Sequence, residues 1–71
     1  MYDFNLRLLM NEQNRAIGFR VLLKEEEIAQ LYFFEGFLVP NCCMLHHHED
    51  EIYCKDRIEA LHILTERLNA E

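Results

Sequence analysis

Serine is absent from this sequence and threonine occurs once, at Thr65. A serine nucleophile is therefore excluded, and the one threonine falls in a segment that reads as helix rather than as an active-site turn. The two glycines, Gly18 and Gly36, stand alone, so the chain holds no glycine-rich loop to cradle a phosphate. No Cys-x-x-Cys occurs, which removes the ligand spacing of a structural zinc finger. No stretch approaches the roughly 20 consecutive apolar residues of a membrane span. The first residues, MYDFNLRLLMNEQ, lack both the basic start and the unbroken apolar run of a secretion signal. Lysine and arginine are missing from Glu25 through Cys54.

What is present is a short, apolar chain. Its 71 residues, 51% of them hydrophobic, define a single compact domain (1–71) with a limited core. Cores of that size are usually reinforced by disulfides, a metal or a second copy of the chain. So much apolar side chain on so small a body points to an exposed patch and to a homodimer or higher oligomer. Cys42, Cys43 and Cys54 make an odd count with an adjacent pair that cannot easily bridge to itself. That usage suits a reducing compartment, and a cytoplasmic location is expected.

Taken in order, Tyr2, Phe4, Leu6, Leu8 and Met10 alternate with polar residues, the period of a half-buried strand. After the turn-capable Asn11-Glu12-Gln13-Asn14, Ile17, Phe19, Val21 and Leu23 alternate again, so the two runs form an antiparallel hairpin. Gly18 marks a bulge or the close approach of another backbone, a second subunit's strand being one candidate. The segment from Lys24 to Phe37 reads as a helix: strong helix formers, three glutamates at its start and Gly36 where a left-handed cap would sit. Its IAQLYFF core has strand composition, and in that alternative the first three elements form a meander under one sheet with one helix. A short apolar run, Phe37-Leu38-Val39, closes at Pro40, where the chain reorients. Near the end, Asp56 caps an amphipathic helix of roughly 13 residues, with Glu59 three positions on and Ile58, Leu61, Leu64 and Leu68 on one stripe. His62 borders that stripe and reads as a boundary residue, not a ligand. The expected class is α+β, a small antiparallel sheet with element order ββαββα.

The densest chemistry lies in Asn41–Cys54, NCCMLHHHEDEIYC, where six cysteine and histidine residues crowd together. With a two-residue turn at Glu49-Asp50, period-two alternation places Cys43, Leu45, His47, Ile52 and Cys54 on one face. Cys42, Met44, His46, His48, Glu51 and Tyr53 fall on the other. The first face reads as core. On the second, His46, His48 and Glu51 make a candidate two-histidine, one-carboxylate site for zinc or another transition metal. The plainer reading is a solvated hairpin tip with buried thiols. A nucleophilic pair of Cys43 with His47 is conceivable, but so small a chain leaves little room for a substrate pocket, and no enzymatic activity or cofactor is expected.

Charge is distributed unevenly. Residues 1–24 carry +2, residues 25–54 carry −7 and the rest −1. An acidic middle repels phosphate backbones and anionic membranes, and attracts basic protein surfaces. The expected function is that of a small acidic, non-catalytic interaction protein, a regulator, adaptor or inhibitor of the kind phages and mobile elements often encode, by analogy of size and charge. Its candidate binding residues are Glu25, Glu26, Glu27, Glu49, Asp50 and Glu51. The competing expectation is a metal- or thiol-sensing module built on Cys42–Cys54.

Overall fold

A computed structural model describes residues 2–33 and 43–71. Five strands, β1 (Phe4–Met10), β2 (Ala16–Leu23), β3 (Glu26–Phe33), β4 (Cys43–His47) and β5 (Asp50–Cys54), precede one helix, α1 (Arg57–Asn69). They form a single antiparallel sheet in sequence order, a five-stranded meander. The expected apolar run 37–39, the reorientation at Pro40 and the cap at Gly36 lie outside the described residues.

The first hairpin forms as the alternation requires, with Phe4 opposite Leu23, Leu6 opposite Val21 and Leu8 opposite Phe19. Its turn is organised by one side chain. Asn11 Oδ1 accepts the backbone N–H of Gln13 at 2.9 Å and of Arg15 at 3.0 Å, while Asn14 takes the left-handed conformation (φ 64°) that asparagine tolerates well.

The middle helix does not form, and the order is βββββα rather than ββαββα. Residues 26–33 are a central strand between β2 and β4. Helix propensity over Lys24–Leu31 is worth only tenths of a kcal/mol per residue, whereas the strand places Ala29 and Leu31, both 1% exposed, in the centre of the core. The chain enters it through a two-residue turn in which Lys24 (φ 52°) and Glu25 (φ 68°) are both left-handed and Leu23 pairs with Glu26. Those angle signs define a type I′ turn, whose twist matches that of the strands.

Gly18 marks a close approach, and the backbone concerned is the chain's own β3. A Cβ on Gly18 would lie 1.8 Å from the carbonyl oxygen of Leu31. Gly18 also borders a bulge: Leu9 pairs with Gly18 and Met10 with Ala16, so Ile17 is an extra residue of β2, and a second irregularity lies at Val21/Leu22, where Ile28 is the extra residue of β3.

The helix begins as expected. Asp56 Oδ1 accepts the N–H of Glu59 at 2.7 Å, and Glu59 Oε1 accepts that of Lys55 at 3.3 Å. It lies along the strand direction, chiefly over β4 and β5, burying Ala60 and Leu64 against Val21, Leu31, Leu45, Cys43 and Cys54. Ile58 departs from the expected stripe: it is 78% exposed, because the sheet-facing line of the helix runs through Ala60 and Leu64.

Candidate functional site

In a meander, alternate turns fall at the same end of the sheet. The β2–β3 turn with Glu25, Glu26 and Glu27 and the β4–β5 turn with Glu49, Asp50 and Glu51 are therefore neighbours, although 22 to 26 residues separate them in sequence. The C-terminus of α1 arrives at that end too. Arg67 bonds to His47 and Asp50, Glu71 lies against His48, and Tyr2 Oη donates to Asn69 Oδ1 at 3.0 Å. The unsatisfied carbonyls of a helix C-terminus add partial negative charge to the acids already there.

The six carboxylates are not equivalent. Glu27 forms an ion pair with Arg20 and accepts the Gln30 amide at 2.6 Å, and these two bonds, the Arg20 bond foremost, hold its carboxyl below the usual range. Asp50 is bound by the Arg67 guanidinium. Glu25, Glu26, Glu49 and Glu51 are exposed and have no ion pair among the described residues. The end of the sheet thus presents four solvated carboxylates, with two more committed to internal cations.

Beside them is a histidine cluster whose turn differs from expectation. The β4–β5 turn is His48-Glu49, with His47 opposite Asp50, His46 opposite Glu51 and Cys43 opposite Cys54. Relative to a turn at Glu49-Asp50, each β4 residue faces a partner two positions earlier. A slip of two preserves the alternation, so Cys43 (3% exposed), Leu45 (0%), His47 (2%), Ile52 and Cys54 (2%) do share the core face. His46 and Glu51 oppose each other on the face away from α1. His48 sits in the turn with φ 55°, and its ring is directed to the end of α1 instead.

The hydrogen bonds assign the protons. His46 Nε2 donates to the His48 carbonyl at 3.1 Å and His48 Nε2 to Glu71 Oε1 at 3.3 Å, since a carbonyl or carboxylate oxygen only accepts. The Arg67 Nε–H donates to His47 Nδ1 at 2.9 Å, which fixes His47 as the neutral Nε2–H tautomer. Burial lowers the His47 pKa below its ordinary value of 6.5, helped by the charges of His48 and Arg67 against the opposing pull of Glu71 and Asp50.

Among the described residues, the donor atoms that lie within 4.8 Å of one another belong to His47, His48 and Glu71. His46 and Glu51, two of the three ligands expected from the sequence, are outside that group. A cation seated there would meet the Arg67 guanidinium, and coordination through His48 Nε2 would displace its hydrogen bond to Glu71. The arrangement as it stands is a satisfied polar network that pins the β4–β5 hairpin to the last turn of α1.

Arg67 and Glu71 were not singled out by sequence reasoning. The available signal was His47 itself: a histidine on an otherwise apolar strand face needs a polar partner, and a helix packed along that strand is where one would come from.

Comparison of the chain with protein-family models, with curated proteins and with solved structures returns no match. No helix among the described residues is long and apolar enough to cross a membrane.

Proposed function

We propose that this chain is a non-catalytic interaction protein that presents the acidic end of its sheet to a basic surface of a larger protein, acting as a regulator, adaptor or inhibitor. The observation that carries this reading is the convergence of two acidic turns, distant in sequence, at one end of a rigid meander, with Glu25, Glu26, Glu49 and Glu51 left solvated. Such a concentration of one sign of charge accelerates encounter with a complementary surface and orients it on approach. It also disfavours nucleic acid as a direct ligand.

The test is a variant with Glu25, Glu26, Glu49 and Glu51 each replaced by Lys, compared with wild type in capture experiments read by mass spectrometry. Wild type should retain a specific protein with a basic surface, in a salt-sensitive manner, and the variant should lose it while keeping its circular dichroism spectrum. Identical capture by both would remove the reading. The competing function, a metal- or thiol-sensing module on Cys42–Cys54, draws support from the proximity of His47, His48 and Glu71 and is opposed by the Arg67 charge beside them. Stoichiometric metal in untagged protein, lost on His48→Ala, would put it first.

A further inference from the structure

The core holds two thiols that face one another. Cys43 and Cys54 are direct partners in the β4–β5 ladder, so their side chains leave the sheet on the same side, and both are buried in the cluster that Ala60 and Leu64 of α1 complete. Directly opposed residues of an antiparallel pair have Cα atoms about 4.5 to 5.5 Å apart, according to hydrogen-bonding type. A disulfide spans about 4.4 to 6.8 Å between Cα atoms, so this pair lies within bridging range whichever type it is. The Cβ atoms need to approach by up to about 1 Å. Cys54 is placed to supply that movement, because it is the last residue of β5 and β5 is the edge of the sheet. Its thiol donates to the Ile52 carbonyl at 3.5 Å, a weak bond that rotation toward Cys43 would give up.

We infer that Cys43 and Cys54 are a site of reversible disulfide formation, through which oxidising conditions lock the β4–β5 hairpin beneath α1. The oxidant is a low-molecular-weight disulfide of the glutathione class. The Cys54 thiolate attacks one of its sulfurs, forming a mixed disulfide and releasing one small thiolate. The Cys43 thiolate then attacks the Cys54 sulfur and releases the second. Both cysteine protons pass to the departing thiolates, so two cysteine thiols are oxidised by two electrons and one small disulfide is reduced to two thiols.

The bridge closes a ring from Cys43 to Cys54 around the His48-Glu49 turn and removes conformational freedom chiefly from the unfolded chain. A chain of this size has a limited core that gains from such reinforcement. Because the Cβ atoms must be drawn together, the bridge is more readily reduced than a relaxed one, which suits a switch better than a permanent staple. Burial sets the rate: the oxidant reaches Cys54 when the end of β5 opens locally. This inference does not rest on the proposed interaction function, since the two thiols lie at the opposite end of the hairpin from the acidic turn. It names the pair that a thiol-sensing role would use, and it needs no metal.

Reduced wild-type chain equilibrated in mixtures of oxidised and reduced glutathione, then alkylated and analysed by intact-mass and fragmentation mass spectrometry, tests it. With oxidised glutathione in excess, the folded chain should lose two hydrogen atoms and keep one of its three thiols open to alkylation, with a cross-link joining Cys43 to Cys54. Dithiothreitol should restore all three. Cys42→Ala, which leaves only that pairing possible, should form the same cross-link. In urea denaturation the folded-to-unfolded ratio of the oxidised chain should exceed that of the reduced chain about tenfold or more. A folded chain that stays fully reduced, stops at a glutathione adduct or cross-links Cys42 instead overturns the inference, as does a Cys43–Cys54 bridge that leaves stability unchanged or lower.

Discussion

The two halves of this sheet are written in the same alternating code and are stabilised differently. Beneath α1, Cys43, Leu45, His47 and Cys54 on the helix-facing side of β4 and β5 are buried, with Leu45 and its helical counterpart Leu64 at 0% exposure. In β1, Phe4, Leu6 and Leu8 alternate just as regularly yet remain half in water. Alternation therefore reports which residues share a face. It does not report whether anything covers that face, which depends on how many helices there are to cover it, and the described residues supply one for five strands.

The largest expected effect breaks that comparison directly. Leu64→Ala should remove about 3 kcal/mol or more from unfolding stability, the cost of a cavity in a sealed core. Leu8→Ala should cost under about 1 kcal/mol in dilute monomer, because much of that side chain is already hydrated. Urea denaturation of both variants measures the difference. Equal losses would show that the β1 half is as well covered as the other, and a Leu8 loss that grows with protein concentration would locate its cover in a second copy.

Gly18→Ala comes next. The new methyl must displace the Leu31 carbonyl, which is backbone of the central strand and cannot rotate away, so a loss on the order of 2 kcal/mol or more is expected. The same denaturation measurement reads it. A neutral substitution would mean that β2 and β3 can separate, and that the bare half of the sheet is the looser one.

A third effect is confined to the covered half. Because burial first, and then the His48 and Arg67 charges, depress the His47 pKa in the folded state, its contribution to stability is fully present above the unfolded value of 6.5. As pH falls through that value the unfolded chain takes up the proton first, and stability declines until the folded pKa is passed. Melting temperature should therefore drop between about pH 7 and pH 5, and His47→Gln should flatten the part of the slope due to this residue. If the slope persists unchanged in His47→Gln, carboxylates at the acidic end carry it instead.

How much of this was legible follows from the kind of signal each element leaves. The first hairpin and the C-terminal helix were readable because alternation, an Asx turn and an Asp56 cap are local. The faces of β4 and β5 were readable even with the turn misplaced, because a slip of two residues keeps parity. The third strand was not. Lys24 to Leu31 satisfies helical and strand spacing together, and what decides between them is pairing with β2 and β4, which no local window contains. With that strand misread, the meeting of the two acidic turns at one end was hidden, since only an uninterrupted meander brings them together. The Arg67–His47 contact was hidden for a related reason: it joins elements 20 residues apart.

The smallest expected effect concerns the turn that makes the third strand possible. Lys24 and Glu25 are both held at positive φ, a conformation that costs most residues roughly 1 kcal/mol each and that Asn-Gly adopts with least strain. Lys24→Asn with Glu25→Gly should therefore raise stability, by about 1 kcal/mol once the greater flexibility of glycine in the unfolded chain is discounted. The native residues accept that strain at the acidic end proposed as the binding surface, where Glu25 is one of four solvated carboxylates. Strained backbone retained at such a place is consistent with a residue kept for its charge rather than for the turn. The two properties separate in one variant: thermal stability should increase while salt-sensitive capture of the basic partner weakens. Improved stability with undiminished capture would show that Glu25 serves neither the turn nor the surface, and that the acidic end acts through Glu26, Glu49 and Glu51 alone.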